Sequence, residues 1–168
     1  MKIRVMLSFH EGAALRLLNW LAMENALIHQ AQPGLPLLYD SGVVYVRDDR
    51  ETWSDYLYIL AANQDDCDGL AAARAGELLA YGTRAIRPGD EGYEAARAQP
   101  LDTIPAEVLL LTLAAPGEAG LYHCVVRYLI GGRWYRDDPS ARLGMNGPID
   151  PTVSARWAAR GLVARRSP

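Results

Sequence analysis

The chain holds two cysteines, Cys67 and Cys124, and three histidines, His10, His29 and His123, few enough to weigh one at a time as nucleophile or base. Cys67 stands in Asn63-Gln-Asp-Asp-Cys-Asp-Gly-Leu-Ala-Ala-Ala73, a polar loop that tips directly into an alanine-rich helix. A sulfur at such a junction lies near unpaired backbone N–H groups and the positive end of the helix dipole. Both favour the thiolate, which is the nucleophilic form. His123 falls in the apolar strand Leu121-Tyr-His-Cys-Val-Val-Arg-Tyr-Leu-Ile130. Strand side chains alternate, so His123 shares a face with Val125 and Arg127, and Cys124 points to the other face as core filler. Cys124 is therefore the poorer nucleophile. Arg136-Asp-Asp-Pro-Ser140 closes the next strand, and a hairpin brings it back beside His123, where an aspartate can hold the imidazole and stabilise its protonated form. Thiolate, imidazole and carboxylate together would perform nucleophilic acyl transfer. An oxyanion hole is then needed, with the Cys67 backbone N–H as one donor and Gln64 as first choice for the second, ahead of Asn63 and Trp53.

These residues must be positioned by surrounding elements. Residues 2–9 alternate Ile3, Val5, Leu7 and Phe9 against Lys2, Arg4 and Ser8, the pattern of a half-buried strand. From Glu11 to about Gln30 there is no proline, and Leu15, Leu18, Trp20, Leu21, Leu27 and Ile28 fall at helical spacing, with Trp20 and its leucines expected in the core. Pro33-Gly-Leu-Pro36 stops that helix. Residues 37–46 read as extended chain, Thr52 as the cap of a helix running to Ala62, Gly82 as the stop of the Cys67 helix, 83–87 as a short strand and 88–103 as a loop. Strands follow at 106–114, 120–130 and 133–137, the last two joined by the Gly131-Gly132 hairpin turn. His10 and His29 are read as surface or helix-face residues, and Trp134 as sheet packing or a cleft wall.

The bulk composition narrows the function. At 168 residues, half of them hydrophobic, the chain fits one folded domain over 1–150 followed by a basic tail at 151–168 that carries four arginines. A net charge of −3, from 17 basic and 20 acidic side chains, makes nucleic-acid binding an unfavoured class. No apolar run is long enough for a membrane span, and charge inside the first nine residues argues against a secretory signal. Two cysteines and scattered histidines make neither a disulfide framework nor a zinc site, so no metal or cofactor is expected.

The pattern resembles the transglutaminase-like branch of the papain-like cysteine peptidase superfamily over about Trp53 to Ser140. The matching pieces are Asp66-Cys67-Asp68-Gly69-Leu70-Ala71 opening a helix, His123-Cys124-Val125-Val126 on an apolar strand, and Gly132-Arg133-Trp134 with Asp138-Pro139-Ser140. The resemblance implies an α+β fold, papain-like, in which a helix bearing the cysteine packs on an antiparallel sheet bearing the histidine and aspartate. It assigns Cys67 as nucleophile, His123 as general base and Asp138 as orienting acid, with Asp137 as runner-up. Family members often carry glycine two places before the cysteine and aspartate two places after it, where this chain has Asp65 and Gly69. The wider order of segments is similar to small transglutaminase-like proteins encoded among tailed-phage and prophage structural genes. That implies a place in a virion or in bacterial host cytoplasm. The partners implied are a peptide or protein substrate, such as a virion precursor or cell-wall peptide, and other virion proteins. A non-catalytic virion protein using the same fold for docking is the alternative.

Overall fold

The structure is a computed structural model in which residues 2–4, 11–47, 52–112 and 122–145 are described. The expected tail helix, His10 and parts of three expected strands, 5–9, 113–114 and 120–121, lie outside those residues. The architecture is α+β, with a three-stranded antiparallel sheet in the order β5 (Ala106–Thr112), β6 (Tyr122–Ile130), β7 (Arg133–Asp137). Gly131 and Gly132 both have positive φ, 57° and 80°, which is the backbone a two-residue hairpin turn between β6 and β7 demands.

Two helices pack together against this sheet. Helix α1 (Glu11–Ala31) buries Ala14, Leu18, Leu21, Ala22, Asn25, Ala26 and His29, a stripe at helical spacing. Trp20 does not belong to that stripe. It is 47% exposed, along with Leu17, Met23 and Leu27, because α1 is apolar on more than one face and its small residues turn inward. Helix α3 (Cys67–Tyr81) is buried from Asp68 through Leu78, with its alanines against Cys124, Val126 and Tyr128 of β6. An apolar cluster of α1, α3 and the sheet thereby fixes where the first turn of α3 lies. A second, smaller cluster joins Leu38, Val43, Tyr56, Ile59, Leu70 and Ala73.

The connecting segments differ from several expectations. Residues 38–40 form a 3-10 turn and only Val44–Tyr45 (β2) is strand, paired in parallel with β4 (Gln64–Asp65). Thr52–Ser54 (β3) pairs with β1 (Lys2–Arg4), a long-range contact that overrides Thr52 as a cap. Asp55 caps α2 (Tyr56–Ala62) instead, accepting from the Tyr58 N–H at 2.9 Å. Gly82 does cap α3, with φ 58°, but Gly82–Ala85 is a 3-10 turn rather than a strand. The expected loop contains α4 (Tyr93–Ala98).

Candidate active site

Helix α3 begins at Cys67 because Asp66 caps it. The Asp66 carboxylate accepts from the Asp68 N–H at 3.4 Å, and its carbonyl accepts from the Leu70 N–H at 3.1 Å. Asp65 Oδ1 accepts from the Asp66 N–H at 2.9 Å, and Asp68 Oδ1 from the Gly69 N–H at 2.6 Å. Three carboxylates beside a thiol would oppose its ionisation if they were aimed at the sulfur. Here each has an oxygen on a backbone N–H. In this turn the N–H groups of residues 66, 68, 69 and 70 are all taken, and the Cys67 N–H has no acceptor among the described residues. The space above Gly69 is filled by Asp65, since a Cβ built on Gly69 would fall 2.6 Å from the Asp65 carboxyl carbon.

The β6–β7 hairpin delivers the other two residues. Asp137 pairs with Val126, so Asp138 emerges just past the paired register, on the His123 side. His123 Nε2 donates to Asp138 Oδ2 at 2.9 Å. The other oxygen, Oδ1, accepts from the Ala141 N–H at 3.1 Å and caps α5 (Pro139–Arg142), with Pro139 at its first turn. A short helix cap thus holds the carboxylate in place for the ring. Asp137, the runner-up, points to the opposite face, where its Oδ2 receives Arg74 Nε at 2.8 Å. Alternation along the strand separates the two aspartates into two jobs.

His123 is 4% exposed, and Cys67 remains partly exposed. Cys124 is wholly buried in the core cluster that Cys67 packs against, the filler that alternation along the strand predicts.

These contacts set the charges. Hydrogen bonding with Cys124 lowers the Cys67 thiol most, burial opposes it, and the hydrogen bond and charge of His123 outweigh Asp66, leaving the thiol at about 6. Burial pushes His123 down, but hydrogen bonds with Asp138 and Cys67, and their charges, raise it to about 9. Between those values the favoured state is a thiolate–imidazolium pair. Burial, then the Cys67 and Asp66 charges, raise Tyr45, so this half-buried phenol on β2 stays neutral beside the thiolate.

The oxyanion candidates separate by burial. Gln64 is exposed on β4, whereas Trp53 is 3% exposed in the core cluster that Cys67 packs against, and its indole Nε1 has no acceptor among the described residues. A buried indole N–H without an acceptor costs about 1–3 kcal/mol, so it marks a place where a ligand oxygen would be welcomed.

Sequence reasoning missed a buried charge network behind the sheet. Arg74 is wholly buried and reaches Asp137 Oδ2 at 2.8 Å, Asp90 Oδ2 at 2.8 Å, Glu77 Oε2 at 3.0 Å and the Ala85 carbonyl at 2.9 Å. Its guanidinium lies 4.7 Å from the Tyr39 ring, with Arg142 3.9 Å from the same ring. Burial raises Glu77 to about 7 against the pull of Arg74. The available signal was an Arg and a Glu three apart in an otherwise apolar helix, where any charge must be paired. His29 was also misplaced. It is fully buried, its ring centroid 4.6 Å from that of Tyr56 and 5.3 Å from that of Tyr81. Trp134 lies under Arg127, 4.5 Å from ring centroid to guanidinium, and is 44% exposed.

No protein-family model, curated protein or solved structure matches the chain. No helix of the described residues is long and apolar enough to cross a membrane.

Proposed function

We propose that the protein is a papain-like cysteine enzyme of the transglutaminase-like kind that transfers or hydrolyses the acyl group of an amide. The observation that carries this is the His123–Asp138 hydrogen bond at 2.9 Å, with the Cys67 thiol at a helix start and lowered to about 6 by groups that include His123. Sulfur, ring and carboxylate each have the partner that acyl transfer requires.

In the resting state the Cys67 proton resides on His123. The thiolate attacks the amide carbonyl carbon, a C–S bond forms, and the carbonyl electron pair moves onto oxygen. The unoccupied Cys67 N–H and the Trp53 indole N–H or Gln64 amide receive that oxyanion. The carbonyl re-forms, the C–N bond breaks, and the imidazolium gives its proton to the departing amine, leaving a thioester on Cys67. Because Nε2 is held by Asp138, Nδ1 carries the moving proton. Water or an acceptor amine then attacks the thioester while His123 takes its proton, and the thiolate returns. The resemblance to phage and prophage proteins makes virion proteins and cell-wall peptides the first natural amides to try.

The test is acyl-enzyme formation. Mixing the protein with p-nitrophenyl acetate should give a burst and an acetyl adduct on Cys67 by peptide mass analysis, absent in Cys67→Ala and strongly slowed in His123→Ala. Added primary amine that shortens the adduct's life identifies a transferase, and hydrolysis alone a hydrolase. A folded protein that gives no adduct, or carries it equally on both cysteines, is the docking protein instead.

A further inference from the structure

We propose that the outer face of α1 is a dimerisation surface, on which a second copy of this chain lays its own α1 antiparallel about a two-fold axis at Trp20. The proposal stands apart from the acyl-transfer reading. Leu17, Trp20, Met23 and Leu27 are 42%, 47%, 62% and 58% exposed. At 3.6 residues per turn they fall within about a third of the helix circumference, opposite the buried stripe of Leu18, Leu21, Ala22, Asn25 and His29. Four large apolar side chains in one row on the solvent side of a helix mark an interface, where singly scattered ones would not.

The charges on this face choose the occupant. With the axis at Trp20, each residue before it lies level with the residue equally far after it on the other helix. Leu17 then meets Met23 of the second copy, Trp20 meets its own counterpart, and the small Ala13 makes room for Leu27. Arg16, which is exposed, meets Glu24, which is half-buried, once on each side of the axis. Neither has an ion pair among the described residues of its own chain. A parallel pairing in the same register would instead set Arg16 on Arg16 and Glu24 on Glu24, like charge on like. A lipid surface fits less well, because interfacial helices carry a basic polar face and α1 carries Glu11 and Glu24 against Arg16. The contact is isologous, so assembly closes at two copies. One helix seam is smaller than the roughly 800 Å² that each partner gives a standard interface, so the pair is a weak one, with a dissociation constant on the order of 10 μM.

Sedimentation equilibrium of the full chain from about 1 μM to about 300 μM reads the assembly. The mass should rise from the monomer's 18.4 kDa to twice that value, with no larger species. Trp20→Glu places two carboxylates face to face at the axis and should hold the chain monomeric while circular dichroism shows it folded. Where Trp20→Glu does not fold, Met23→Glu at the most exposed position of the row takes its place. Arg16→Glu and Glu24→Arg should each weaken dimerisation at least about tenfold, and the two exchanges combined in one chain should restore it. A wild type that stays monomeric across the range overturns the proposal. So does a dimer that Trp20→Glu leaves intact, which would lie on another face, and so does a combined exchange no tighter than the single ones, which would remove the antiparallel register. A monomeric wild type that binds phosphatidylglycerol vesicles through Trp20 would make a lipid surface the occupant instead.

Discussion

Gly69 is tied to Asp65, whose carboxylate occupies the space where a side chain at 69 would begin. A carboxylate from two places before the cysteine thus fills the space that a side chain two places after it would take. Gly69→Ala should cost about 1–3 kcal/mol by overpacking and slow Cys67 labelling, and Asp65→Gly in the same chain should return the stability. Urea denaturation checks this, and a Gly69→Ala protein as stable as wild type would refute the coupling. His29 makes a second statement at this scale. Burial lowers it from 6.5 to about 4, so the fold holds it neutral while the unfolded chain accepts a proton at the ordinary value. Its contribution is therefore complete above about pH 6.5 and is lost as pH falls toward 4, on the order of 3 kcal/mol over that window. His29→Leu should flatten the pH dependence of urea midpoints between those values, and an unchanged slope would contradict a buried neutral ring.

Among the elements, β7 and α3 depend on each other through Arg74. The guanidinium clamps Asp137 at the end of β7, and the next residue, Asp138, is thereby set against His123. Removing the cation would leave Glu77, Asp90 and Asp137 buried together, with Arg142 paired to Asp90 as the nearest compensation. Arg74→Ala should lose about 3–5 kcal/mol, the usual cost of breaking a buried ion pair from one side. Denaturant titration reads this, and a loss below ~1 kcal/mol would show that the network is solvated and does not fix the strand. None of this was visible as an element pattern, because the alanines around Arg74 declare a buried helix without naming the carboxylates that the fold brings to it. The pair β1–β3 was hidden for the same reason, since three-residue strands are made by their partners rather than by their own periodicity.

Across the whole molecule, what the sequence made readable was local or hairpin-close. Asp66 before an alanine-rich run marks the start of α3, and Gly131-Gly132 fixes β6 against β7, so Cys67 was placed on a helix end and His123 within reach of Asp138. The choice between Asp137 and Asp138 needed the register, which sends them to opposite faces. The inward stripe of α1 needed α3 to say which of several apolar faces is covered. The most direct test of the whole arrangement is the pH profile of iodoacetamide labelling at Cys67 in wild type and His123→Ala. The expected result is a wild-type midpoint near the lowered value of about 6 and a clearly higher midpoint without His123, with Cys124 unreactive throughout. A wild-type midpoint already in the ordinary range, unmoved in His123→Ala, would contradict it.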